Sequence, residues 1–153
     1  MSYFDNAATT YPKPDAVYSF MDSFYRNHGG SVGRGGYALA TTAKGLVDET
    51  RKLIQELMHC HAKQVIFTPT ATIALNMIIQ GAIVNGARSV YISPFEHNAV
   101  TRVLHHFEQL GQITVTELTV SESLEYDMVR IRYQFDAIRP DLVIVSHASN
   151  VIG

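Results

Sequence analysis

Scarcities set the first limits on this 153-residue chain. It has one cysteine, Cys60, and no tryptophan. A lone thiol rules out an intramolecular disulfide framework and a four-thiolate zinc site, and it suits a reducing, cytoplasmic compartment. Charge is sparse and balanced: 12 Lys+Arg against 14 Asp+Glu leave a formal charge of -2, with 17% of residues charged. Neither a nucleic-acid-coating surface nor a disordered polyelectrolyte fits that composition. The opening, MSYFDNAATTYPKP, has neither the basic nor the apolar region of a secretory signal. No internal repeat, low-complexity tract or charge block is present. What the chain does have is 46% hydrophobic residues. At this length a chain can bury about 70% of the surface its unfolded form exposes, enough for one real core.

From Gln64 to Ala87 there is no charged residue, a stretch long enough to span a bilayer. It also contains Thr68, Pro69, Thr70, Thr72, Asn76, Gln80 and Gly81. Pro69 sits where a strand-to-helix turn would need it, so a buried strand followed by a buried helix is expected, with no membrane span.

Punctuation is concentrated before residue 37, and the chain is expected to divide into a loop and helical segment, 1–63, and an α/β segment, 64–153. Pro12 and Pro14 bracket an extended entry. Asp15 is the expected N-cap of a short helix to about Tyr25, with Val17, Phe20, Met21 and Phe24 at helical spacing. After the glycine-rich stretch Gly29 to Gly36, a second pattern through Val47, Thr50, Leu53, Ile54, Leu57 and Met58 predicts a surface helix with one buried stripe. Strands then alternate with helices. Strands are predicted at Val65–Phe67, Ser89–Ile92, Ile113–Leu118 and Leu142–Val145, and helices at Thr72–Ile83 and Asn98–Leu110. The stretch Asp127–Ile138 fits both periods. Helix is chosen, because parallel pairing of the last two strands requires a crossover. The fold class is therefore α/β: N-terminal helices, then a partial parallel sheet with helices on its faces.

In such sheets ligands bind beyond the carboxyl ends of the strands. Three ends are expected here: Thr68-Pro69-Thr70-Ala71-Thr72, Ser93-Pro94-Phe95-Glu96-His97-Asn98 and Ser146-His147-Ala148-Ser149-Asn150. The first opens an uncharged helix whose free N–H groups suit a phosphate, although Thr70 or Thr72 acting as a plain N-cap explains the same residues. His97 is a functional candidate or a surface histidine, and Asn150 a ligand or a turn residue. Three other motifs are set aside. Gly33-Arg34-Gly35-Gly36-Tyr37-Ala38 matches a dinucleotide fingerprint, but no strand precedes it. His59-Cys60-His61 closes a helix without the other half of a zinc site, and the adjacent His105 and His106 point apart on theirs, so no metal site is expected.

Taken in order, Asp5-Asn6-Ala7-Ala8-Thr9-Thr10, the segment His28 to Gly36, FTPTATIALN, the turn Glu96 to Val100 and SHASNVIG resemble the cysteine desulfurase group of class V aminotransferases. The resemblance runs the length of the chain. It implies a pyridoxal-phosphate enzyme of fold type I, an incomplete aspartate-aminotransferase-like large domain, usually a homodimer, acting on an amino acid, cysteine in the desulfurases. By that resemblance Ala71 and Thr72 hold the cofactor phosphate, His97 stacks on the pyridine ring as the catalytic residue, Asn150 bonds the phenolic oxygen, and Asn6, Ala7 and Thr9 line the substrate side. A flat stacking partner and a phosphate anchor are the residue types this cofactor needs.

Departures accompany the match. Thr70 stands for the family's usual glycine, Pro69 for serine, and Ile73 where desulfurases commonly carry Glu. Members are more than twice this long, and the pyridine-pairing aspartate, the Schiff-base lysine and the persulfide-forming cysteine come late in them. The four lysines here, Lys13, Lys44, Lys52 and Lys63, all precede the first expected strand, and Cys60 sits at a helix end. The chain is therefore expected to be the N-terminal portion of a cysteine desulfurase or of a related class V aminotransferase or lyase, and inactive alone. The alternative is a truncated pseudoenzyme or a scaffold that pairs with a complementing chain through an incomplete sheet.

Overall fold

A computed structural model describes residues 2–6, 9–33 and 35–149. Along them run α1 (Asp15–Asn27), α2 (Ala38–Leu57), α3 (Ala71–Val84), β1 (Ser89–Ile92), α4 (Asn98–Gln109), β2 (Thr114–Glu117), α5 (Met128–Ala137) and β3 (Leu142–Ile144). The chain falls into two compact units, 1–67 and 68–153.

The first unit contains an opening loop, α1 and α2. The Tyr3 hydroxyl lies 3.1 and 3.0 Å from the carbonyl oxygens of Asp5 and Thr9, which closes the loop on itself. Asp15 does not cap α1 as expected. Pro14 is the N-cap, and Asp15 occupies the first turn, where its charge faces the positive helix end. The helix continues two residues beyond Tyr25, and no residue in it is buried. α2 begins well before Val47, at Ala38, because small helix-forming residues there extend it without adding to the large apolar stripe. Gly30 makes this start possible: a Cβ on it would lie 2.5 Å from the Leu39 carbonyl carbon, so only hydrogen fits. The expected buried stripe is corrected too. Only Ala40 and Ala43 are buried in α2, while Leu53 and Leu57 are exposed.

Val65–Phe67 is not a strand. An apolar run becomes a strand only where a partner supplies the ladder, and no described residue pairs with these three. Instead, Arg51 Nε donates to the Val65 carbonyl at 3.2 Å, and its guanidinium lies 5.5 Å from the Phe67 ring centroid.

In the second unit the sheet has three strands in the order β2-β1-β3, all parallel. Val90 faces Val115 on one side and Leu142 on the other, and the register continues through Ile92, opposite Glu117 and Ile144. Successive side chains point to opposite faces of a strand. Val90 and Ile92 accordingly enter one core with Ile79 and Ile83 of α3, Val100, Val103 and Leu104 of α4, and Ile113. Tyr91 enters the other with Leu118 and Ile131 of α5. Its hydroxyl donates toward the Gln134 and Ile138 carbonyls at 2.9 Å each, so the phenol is buried with its polar end satisfied. Each large side chain buried this way contributes roughly 1.5–3 kcal/mol. The ambiguous segment is a helix, as expected, with Asp127 Oδ1 accepting from the Arg130 N–H at 3.0 Å as N-cap.

α3 is apolar on more than its core-facing side. Ile79 and Ile83 are buried, yet Ile73, Met77, Ile78 and Val84 are exposed. Among the described residues no helix is long and apolar enough to cross a membrane.

At the amino end of the sheet, Asp141 Oδ2 accepts from the Arg88 N–H at 2.8 Å and the Ser89 N–H at 3.0 Å, while the Asp141 N–H donates to the Ser89 carbonyl at 2.9 Å. The N–H groups of Ser89 and Arg88 hold its carboxyl below the ordinary 3.8. An acid depressed in the folded state contributes stability that is complete above 3.8 and is lost as pH falls through the lower folded value. Asp141→Asn is expected to melt below the wild type at neutral pH, and the gap should narrow below pH 3.8 in a series of thermal melts.

Candidate functional site

The loop before α3 is built from hydroxyls. Thr68 Oγ1 donates to the Thr70 carbonyl at 2.9 Å, which tightens the turn. Thr70 is the N-cap, and its Oγ1 accepts from the Ile73 N–H at 3.2 Å. The plain capping explanation thus holds for Thr70. The cap uses one donor of the first turn, and the N–H groups of Ala71 and Thr72, at its first two positions, have no intrahelical acceptor. The Thr72 hydroxyl makes no hydrogen bond among the described residues, and both Ala71 and Thr72 are exposed.

His97 is the N-cap of α4. Its Nδ1 accepts from the Ala99 N–H at 3.1 Å, which puts the proton of the neutral ring on Nε2. The residue is exposed, so its ring remains accessible beyond the cap.

Two side chains that the sequence did not mark as functional join these elements. Asn76 Nδ2 donates to the Thr72 carbonyl at 2.8 Å and to the Ala99 carbonyl at 3.3 Å, tying the first turn of α3 to the first turn of α4. Glu96 joins the strand ends: Oε1 accepts from the Ser93 hydroxyl and the Ser146 N–H, and Oε2 from the Ser146 hydroxyl at 2.9 Å. The signal for Asn76 was an amide, one of two with Gln80, in an uncharged and largely apolar helix. For Glu96 it was an acid in a loop of small, hydroxyl and apolar residues.

The structure thus ties the start of α3, with Ala71 and Thr72, to the start of α4 after His97 through Asn76, and the residue before His97, Glu96, to Ser146. Asn6 and Thr9 lie in the opening loop of the first unit. There Asn6 Oδ1 accepts from the Tyr11 N–H at 3.2 Å, and Lys13 Nζ lies 3.4 Å from Thr9 Oγ1. Ala7 and Asn150 fall outside the described residues. Among the described residues no group of three His, Cys, Asp or Glu side chains is placed to hold a metal ion.

The family model for class V aminotransferases matches residues 2–153. The chain belongs to that family. A Plasmodium berghei protein named for cysteine desulfurase activity is 30% identical to it over 158 residues, covering 99% of this chain and 29% of that protein. An apo cysteine desulfurase structure from Thermococcus onnurineus shares the fold at a TM-score of 0.86 and 23% identity, over 97% of this chain and 37% of that one. The SspA structure in complex with cysteine matches at a TM-score of 0.76 and 22% identity, over 98% and 43%. The chain therefore spans between 29% and 43% of the length of these three proteins. Its sheet and flanking helices are part of a fold type I domain.

Within this class V aminotransferase chain, the Thr70 cap is open to direct test. Thr70→Ala is expected to destabilise the chain by about 1 kcal/mol, the usual worth of an N-cap hydroxyl, in urea denaturation.

Proposed function

We propose that this chain is the N-terminal part of a pyridoxal-phosphate-dependent cysteine desulfurase, and that residues 68–149 form the phosphate end of its cofactor site. The observation that carries the proposal is the pair of free N–H groups at Ala71 and Thr72, on a helix start that Asn76 ties to the helix capped by His97. A dianionic phosphate suits that end, where unpaired N–H groups and the positive end of the helix dipole act together. Thr70 turns its hydroxyl onto its own helix, so it takes the Ile73 N–H and leaves the first two to an anion.

The residues present fit the cofactor as far as they go. Ala71 and Thr72 would hold the phosphate through N–H groups and the Thr72 hydroxyl. His97 would offer the flat face of a ring whose Nδ1 is already engaged. Asn150 would meet the phenolic oxygen, and Asn6, Ala7 and Thr9 the substrate side. Bound pyridoxal phosphate supplies an electron sink for bonds at the α-carbon of an amino acid. Cysteine as that amino acid rests on the desulfurase-named relative and on the neighbour solved with cysteine.

Residues 68–153 contain no lysine, the residue type that joins this cofactor to its enzyme. Lys13 sits in the opening loop, with Nζ 2.9 Å from the Thr10 carbonyl, and Lys44 pairs with Asp48 on the surface of α2. The chain by itself is therefore proposed to anchor the cofactor without turning substrate over. Homodimer formation is proposed as well, supported by the exposed apolar residues of α3 and by the outer edges of β2 and β3, which pair with no further strand among the described residues.

Two experiments test this reading. Titration with pyridoxal phosphate should show weak binding that Thr72→Val reduces by at most about 1.5–3 kcal/mol, the range for a hydrogen bond to a charged group. Equal affinity in the two proteins would remove the anchor from Thr72. Borohydride reduction of the mixture, followed by peptide mapping, should find no lysine labelled stoichiometrically. One specifically labelled lysine would contradict the assignment.

A further inference from the structure

Glu96 stands at the junction of two loops 50 residues apart in sequence. Ser93, which follows β1, is polar yet only 1% exposed. Its hydroxyl donates to Glu96 Oε1 and accepts from the Phe95 N–H at 3.3 Å. Ser146, which follows β3, gives Glu96 both its N–H and its hydroxyl. The Ser93 N–H donates to the Ile144 carbonyl at 3.0 Å, so the ladder between β1 and β3 runs directly into this cluster. One carboxylate thus accepts three hydrogen bonds from two loops, and charge-assisted bonds of this kind are stronger than neutral ones. No lysine, arginine or histidine pairs with it among the described residues, so dipolar groups alone satisfy the charge. The next residue is His97, whose ring is set by the cap it makes on α4.

We propose that Glu96 is a positioning residue: it locks the loop after β1 to the loop after β3, and so places His97 relative to the Ser146 loop without touching the ligand itself. The bearing on ligand binding rests on the proposed cofactor reading; the clamp does not. Loss of the carboxylate should leave β1 paired and free the two loops to move separately. Glutamine keeps one acceptor oxygen and presents an amide that the Ser146 hydroxyl can accept from, so it should restore part of the clamp.

Amide hydrogen exchange on the 153-residue chain, wild type against Glu96→Ala and Glu96→Gln, tests this. Exchange at Ser146 and Phe95 should rise at least tenfold in Glu96→Ala and by less in Glu96→Gln, with Val90–Ile92 unchanged. Unchanged exchange at Ser146 and Phe95, or an equal rise across β1, would overturn the clamp. Should Glu96→Ala fail to fold, Ser146→Ala decides: it must raise exchange at Phe95 while sparing β1. Pyridoxal phosphate affinity, measured on the same proteins, should fall at least fivefold in Glu96→Ala and recover partly in Glu96→Gln. A wild type that binds no pyridoxal phosphate would sink the cofactor reading alone, because exchange still judges the clamp.

Discussion

Everything in the second unit depends on β1 lying between two parallel neighbours with both faces covered. The strand is only four residues long, and Val90, Tyr91 and Ile92 are all buried. Alternation sends Val90 and Ile92 into the layer of α3 and α4, and Tyr91 into the layer of α5. A parallel neighbour cannot be reached by a tight turn, so α4 must carry the chain from β1 to β2, and α5 must carry it across β1 to β3. The same geometry delivers the ends of β1 and β3 side by side. Two carboxylates then brace that pair, Asp141 at the amino end through backbone N–H groups and Glu96 at the carboxyl end through two serines.

The carboxyl end concentrates donors that a regular helix cannot satisfy internally. Thr70 and His97 each spend a side chain on the start of their own helix, with bonds of 3.2 and 3.1 Å. A cap takes one N–H of the first turn and leaves others without an intrahelical acceptor. Asn76 removes the freedom of the two helix starts relative to each other, so the donors that remain point from a fixed platform. The Thr70 hydroxyl is taken up by its own helix, where it accepts from the Ile73 N–H.

α3 shows that an apolar helix can be correctly predicted while only part of its apolar surface is buried. Its core side holds Ile79 and Ile83, but Met77 and Ile78 are 61% and 63% exposed. Thr72, Asn76 and Gln80 form one polar face, so the apolar residues of α3 extend beyond its core side without surrounding the helix. These residues of α3, like the outer edges of β2 and β3, have no covering partner among the described residues.

The sequence by itself determined the element types wherever periodicity and length agreed. β1 falls at Ser89–Ile92 as its apolar run implies, α3 and α4 match their patterns to within a residue, and the crossover requirement turned the ambiguous Asp127–Ile138 into a helix. The motif order carried the family, and with it the roles expected of Thr72 and His97. Tertiary structure alone decided the rest. Val65–Phe67 has the composition of a strand but no partner, and a ladder is a property of two segments. The stripes of α1 and α2 are periodic yet largely exposed, because period marks which residues share a face and says nothing of what covers it. Asp15 yielded the cap to Pro14 by one residue, a distance below what pattern resolves. Asn76, Glu96 and Asp141 act on residues 23 to 53 positions away, and local pattern holds no record of a hydrogen bond that exists only once the sheet has brought its two ends together.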